Sequence, residues 1–148
     1  MPDLSEQVQQ LLDRAAIEDL QGQYARCLDE KDFEKWEGLF TEDAVLTMPY
    51  ETIKQPELSR SAHRILDHYP FTQHFLGQSY ITVNGDKAHG RRYFMALHVN
   101  DASDLKRHAD LGGWYDQEFR RVGRAWMFTK STATFRWIGG DDFNVHLP

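Results

Sequence analysis

The chain lacks a pair of cysteines, a long apolar run and an excess of positive charge, and each absence removes a class of protein. With Cys27 as its single cysteine, the 148-residue chain can form no intramolecular disulfide and fits a reducing compartment. Cys27 falls inside a helical pattern, where it reads as a small packed hydrophobe rather than a nucleophile. No apolar run approaches the ~20 residues of a membrane span. The first ten residues, "MPDLSEQVQQ", are polar and acidic, unlike a secretion signal or transit peptide, so the cytoplasm is the expected location. Basic residues number 17 against 23 acidic ones, a formal charge of -6. The doublets Arg91-Arg92 and Arg120-Arg121 stand apart with no basic stripe, so neither nucleic acid nor an anionic membrane is an expected partner. No HExxH or similar ligand spacing occurs, and no metal is expected.

What is present points to a packed globule. Hydrophobic residues make up 41% and aromatic residues 13% of the chain, enough for one domain over residues 1–148. Ser5 to Glu30 is helical by period: Val8, Leu11, Leu12, Ala15, Ala16, Leu20, Tyr24 and Leu28 recur at three- and four-residue steps, with Ser5 as the expected N-cap. A short second helix follows in "DFEKWEGLF", capped by Asp32. "TEDAVLTMP" reads as a turn entering a strand, and a third helix spans Pro56 to Asp67. From Thr72 the character changes to strands: Thr72 to Val83, then "NGD" at 84–86 as a hairpin turn, Lys87 to Asn100, Leu111 to Arg121 and Ala125 to Trp137. Helices first and hairpin-linked strands after them specify an α+β fold, with helices on one side of a curved antiparallel sheet. Phe94 with Met95, Trp114 with Tyr115 and Met127 with Phe128 place apolar side chains on both sheet faces. Helices cover one face only, so a cavity and a homo-oligomer, dimer or trimer, are both expected.

Among seven histidines, His63, His68, His108 and His146 have ordinary surface or helix-end explanations. His74 and His98 sit inside apolar strands joined by the "NGD" turn, which brings them to roughly the same height of the sheet. Two imidazoles on a cavity wall need hydrogen-bond partners, and Asp29, after the apolar run of the first helix, is the candidate carboxylate. Spacing alone leaves a second reading open: Asp29 as part of a solvated "DEKD" run, and each histidine as an isolated core residue.

"AIEDLQGQYARCLDEKDFEKWEGLFTEDAVLTMP", together with "TQHFLGQ", the His98 strand, "AWMF" and "FRWIGGDDF", resembles the SnoaL-like group of cone-shaped α+β barrels, which share the nuclear transport factor 2 fold. Within that group the pattern is most similar to the scytalone dehydratases, and more distantly to bile-acid 7α-dehydratase and hexachlorocyclohexane dehydrochlorinase. The resemblance implies a cofactor-independent lyase or isomerase acting on a cyclic, partly apolar hydroxy-carbonyl compound. It implies His74 as general base and acid, Asp29 as the carboxylate that orients a histidine, and His98 as a second active-site histidine. Tyr24 matches a functional tyrosine of the bile-acid enzyme, Tyr50 and Tyr115 stand near substrate-binding positions, and Lys130 lies near a cationic position of the dehydrochlorinase. Leu28 replaces a tyrosine of the scytalone enzymes, and their longer C-terminal lid is missing, so scytalone itself is not the expected substrate. Two other classes stay open: a non-catalytic small-molecule-binding protein of this fold, and a partner resembling the small subunit of aromatic-ring dioxygenases.

Overall fold

Asp3 caps the first helix. Its carboxylate accepts from the Glu6 backbone N–H at 2.9 Å, and the Glu6 carboxylate accepts from the Asp3 N–H at 2.9 Å. This reciprocal capping box satisfies two otherwise orphaned donors, so the helix starts before the cap expected at Ser5. In this computed structural model, which describes residues 1–143, helix α1 runs Leu4–Asp29. His146 lies outside the described residues.

The expected apolar stripe of α1 is buried only in its second half. Val8, Leu11, Leu12, Ala15 and Ala16 are exposed, and burial begins at Asp13 and continues through Ile17, Leu20, Gln21, Tyr24, Cys27 and Leu28. Periodicity reports a face that could pack, not whether a sheet lies beneath it. Where α1 does meet the sheet, polar pairs fix its register. Both Arg121 Nη atoms donate to the Asp13 carboxylate at 2.8 and 2.9 Å. Trp126 Nε1 donates to the same carboxylate at 3.2 Å. Gln21 donates to Gln117 at 2.9 Å, and Gln117 donates on to Ser131 at 3.3 Å. All three of these residues are buried, where an unmet polar group costs about 1–3 kcal/mol, so sliding the helix carries a penalty.

After α1, Lys31 adopts a left-handed φ of 58° and turns the chain. The Asp32 N–H donates to the Cys27 carbonyl at 2.8 Å, closing the helix end. Asp32 then caps α2 (Phe33–Glu37) as expected. Strand β1 (Phe40–Met48) turns at Pro49-Tyr50 into β2 (Glu51–Lys54), a short strand the sequence did not reveal. A 3-10 turn (Gln55–Glu57) leads into α3 (Leu58–Leu66). The remaining strands are β3 (Phe71–Asn84), β4 (Lys87–Val99), β5 (His108–Val122) and β6 (Ala125–Gly140).

The six strands form one sheet in the order β2-β1-β6-β5-β4-β3. Every neighbouring pair is antiparallel except β1 with β6, which is parallel, so the sheet departs from the wholly antiparallel expectation at that one seam. The architecture is the expected α+β cone, helices over a curved sheet that does not close on itself. Gly85, with φ 62°, makes the β3–β4 turn a conformation that favours glycine.

Candidate active site

The inner face of the sheet, α1, α2 and α3 enclose a cavity of about 130 Å³. Tyr24, Leu28 and Trp36 come from the first two helices, Ser61, Ala62, Ile65 and Leu66 from α3, and Phe94, His98, Leu111, Tyr115 and Phe135 from the strands. None of the lining residues is Lys, Arg, Asp or Glu. The size is close to that of an apolar cavity of ~150 Å³ that accepts a single aromatic ring.

β3 alternates its side chains, so Thr72 and His74 share the inner face. Cross-strand pairing sets Thr72 opposite His98 and His74 opposite Ala96. The two histidines are therefore diagonal neighbours, one pair apart, and not level as the hairpin suggested. Their rings still meet edge to face with centroids 5.9 Å apart.

Asp29 ends α1 directly over this pair. His74 Nδ1 lies 2.7 Å from Asp29 Oδ1, the His74 backbone N–H donates to Oδ2 at 3.0 Å, and the Thr72 hydroxyl donates to Oδ1 at 2.9 Å. A carboxylate at a helix C-terminus is disfavoured by the helix dipole; here three donors offset that. Burial pushes the Asp29 carboxyl up, but the bonds from His74 and Thr72 outweigh it and hold the group below its ordinary value. An ionised Asp29 accepts only, so His74 carries its proton on Nδ1 and presents the Nε2 lone pair.

His98 is 6% exposed and held differently. Its Nδ1 lies 3.1 Å from the Ala109 carbonyl oxygen, which can only accept, so the proton sits on Nδ1 here too. Burial first, then the nearby His74, pushes this imidazole down to about 4. It is neutral across the physiological range.

Tyr24, Tyr50 and Tyr115 all line the cavity. Tyr24 and Tyr115 stand with ring centroids 5.3 Å apart and share a hydrogen bond between their hydroxyls. Burial raises both, and their mutual bond lowers Tyr24 while raising Tyr115. Tyr50 also lines the cavity and is pushed up to about 12 by burial. Lys130 does not join them: it is exposed on β6, paired across the sheet with Glu118, because a register shift between Glu118 and Phe119 turns it outward. His63 bonds to Asp67 at 2.9 Å on the surface, and among the described residues no group of His, Cys, Asp or Glu could hold a metal.

Two site residues escaped the sequence. Thr72 had a usable signal, since it stands two residues before His74 on the same strand face. Ser61 had none: a helix serine looks alike whether it faces water or a cavity. It is 9% exposed, lines the cavity and has no hydrogen-bond partner among the described residues.

Comparison with known proteins agrees with this architecture. An uncharacterized protein of Mycobacterium tuberculosis is 26% identical over 132 residues, covering 86% of this chain and 88% of that one. A proposed scytalone dehydratase from Novosphingobium aromaticivorans superposes with a TM-score of 0.81 at 20% identity, covering 90% of each chain. The hexachlorocyclohexane dehydrochlorinase LinA-type3 from Novosphingobium barchaimii gives a TM-score of 0.79 at 19% identity, over 95% of this chain and 97% of that one. At such identity these two structures speak for the fold alone. The sequence matches the SnoaL-like domain family over residues 9–132, and the chain belongs to that family.

Proposed function

We propose that this protein is a cofactor-independent carbon–oxygen lyase that removes water from a small cyclic hydroxy-carbonyl compound. The observation that carries the reading is the Asp29–His74 pair, at 2.7 Å, whose imidazole lines a cavity with no Asp, Glu, Lys or Arg among its described lining residues. His63–Asp67 and His108–Asp110 make the same kind of bond elsewhere; what sets Asp29–His74 apart is that its imidazole lines the cavity.

In the proposed step, His74 Nε2 takes the proton from the carbon next to the carbonyl. The released electron pair forms the carbon–carbon double bond as the neighbouring C–O bond breaks. The imidazolium returns its proton to the departing hydroxyl, which leaves as water. Asp29 keeps the ring in the Nδ1–H tautomer and stabilises the imidazolium. Tyr24, beside Tyr115 on the cavity wall, donates to the carbonyl oxygen where negative charge develops. With no fixed charge to meet an anion, the lining favours a neutral ligand of about one ring. The same chemistry without a leaving group is double-bond isomerisation.

Purified protein is screened for water loss from monocyclic β-hydroxy ketones. Replacing His74 with Gln removes the base and lowers turnover by on the order of 10² to 10⁴ with the fold intact; Asp29→Asn lowers it less. Undiminished activity in His74→Gln overturns the reading. We further propose that the protein self-associates through the outer sheet face, where Phe75, Tyr93, Met95 and Trp137 are exposed.

A further inference from the structure

Two imidazoles open onto one cavity, yet they are held in ways that suit different tasks. His74 Nδ1 leans on an ionised carboxylate, a partner that stabilises the ring when it gains a proton. His98 Nδ1 leans on the neutral carbonyl of Ala109, its cross-strand partner one pair from the end of the β4–β5 ladder. That bond ties the ring to the rigid sheet but offers no compensating charge.

The other ring nitrogen of His98 is the telling atom. Among the described residues nothing donates to Nε2, and it is not one of the buried polar atoms sealed off without a partner. The ring is hemmed in by Tyr69 at 5.0 Å, Phe143 at 5.3 Å and His74 at 5.9 Å between centroids, and the residue lines the cavity. A buried imidazole with its proton committed to the backbone therefore presents a bare lone pair to whatever enters. A ligand that places a hydrocarbon there leaves that acceptor desolvated and unmet, whereas a hydroxyl satisfies it.

We propose that His98 is a specificity-determining residue: its Nε2 accepts a hydrogen bond from a hydroxyl on the bound ring, and it takes up no proton during turnover. The inference rests on the proposed role of His74 as base, for it assigns the two histidines separate duties, one moving a proton and one reading the ligand. The depressed proton affinity of His98, set first by its burial, agrees with this division. The ligand class narrows to neutral single-ring compounds that carry a hydroxyl donor in addition to the carbonyl.

The test uses binding, so it needs no knowledge of the natural substrate. Phenol and toluene have similar shape and differ in one hydroxyl. Their dissociation constants are measured for the wild-type protein, for His98→Asn, which keeps a donor for the Ala109 carbonyl and loses the acceptor, and for His98→Gln, whose amide oxygen reaches towards the position of Nε2. The phenol-over-toluene preference falls roughly three- to tenfold in His98→Asn and is retained in His98→Gln. In parallel, nitrogen NMR of wild-type protein follows His98 Nε2 from about pH 5 to about pH 8, and the resonance is that of an unprotonated ring nitrogen that moves on phenol addition but not on toluene addition. This arm stands even if a variant fails to fold. An equal preference in all three proteins, or a His98 that protonates within that range, overturns the proposal. His74→Gln keeps the phenol preference if His98 Nε2 is the acceptor, and its loss there overturns the proposal by naming His74 Nε2 instead; the base reading is judged separately, by turnover.

Discussion

Asp29 stands where an isolated helix would not choose it. The last turn of a helix favours cations, and Arg26 in that turn obeys the rule while Asp29 breaks it. Such local conflict, satisfied by three donors from β3, is what a functional position looks like when the rest of the element is consistent. His98 has a counterpart cost in its burial, and its sign can be worked out. Its folded-state value of about 4 lies below the ordinary 6.5. Between those values the unfolded chain binds a proton that the folded protein refuses, so stability is fully present above about pH 6.5 and is lost as pH falls towards 4. Asp29, depressed as well, adds a loss at still lower pH. The His98 contribution amounts to roughly 3 kcal/mol between the two ends. Urea midpoints taken across that range should fall steeply for wild type and less steeply for His98→Asn; parallel curves would remove His98 as the cause.

At the scale of elements, α1 is two structures in one helix. From Asp13 to Asp29 it is bolted to the sheet by Arg121, Trp126 and Gln117, and this half delivers Asp29 to His74. From Leu4 to Leu12 it is exposed and held by its capping box. Asp3→Ala therefore costs about 1 kcal/mol locally. It should appear as faster amide exchange over residues 4–12, with the global unfolding midpoint unchanged; a lowered midpoint would mean that the first turns are part of the cooperative core. The same element shows what a sequence can tell. Its helical period was plain, but the period ran on through Val8, Leu11 and Leu12 although no sheet lies under them. The "NGD" turn was legible because residue chemistry alone makes it, and it joined the His74 and His98 strands as one hairpin. The shared face of the two histidines and their one-pair offset were not legible, because both depend on a register shift between Leu76 and Ser79, and the register set by the turn alone would pair His74 with Leu97. β2 was missed because four residues between a proline turn and a helix carry no usable period. Lys130 was misplaced because the register shift that turns it outward leaves no mark in composition.

For the whole molecule, the sheet has two apolar faces and the helices cover one. Phe75 and Met95 are cross-strand partners on the outer face, as are Tyr93 and Trp114, and Trp137 lies beside them. Exposed aromatic area of this kind marks an association surface. Met95→Glu places a charge at its centre, and light scattering should then report a smaller species than wild type; an unchanged monomer in both would remove the proposed assembly. The inner face is built by the same division of labour, since α1 brings the Asp29 carboxylate, β3 His74 and β4 His98 to one apolar room. Asp29, His74 and His98 stood out in the sequence as polar groups beside apolar runs, but it was the family resemblance that singled them out together and that alone pointed to the tyrosines. Ser61 and the aromatic lining did not stand out, because only the closed cavity distinguishes them from packing.

The central claim is that His74 removes a proton from carbon. Monocyclic β-hydroxy ketones are incubated with the protein in deuterated water, and deuterium entering the carbon next to the carbonyl is followed by NMR. Wild-type protein should exchange that position well above buffer, and His74→Gln should lose the effect by on the order of 10² or more. Equal exchange in the two proteins, or none with any ketone of the series, would contradict the account.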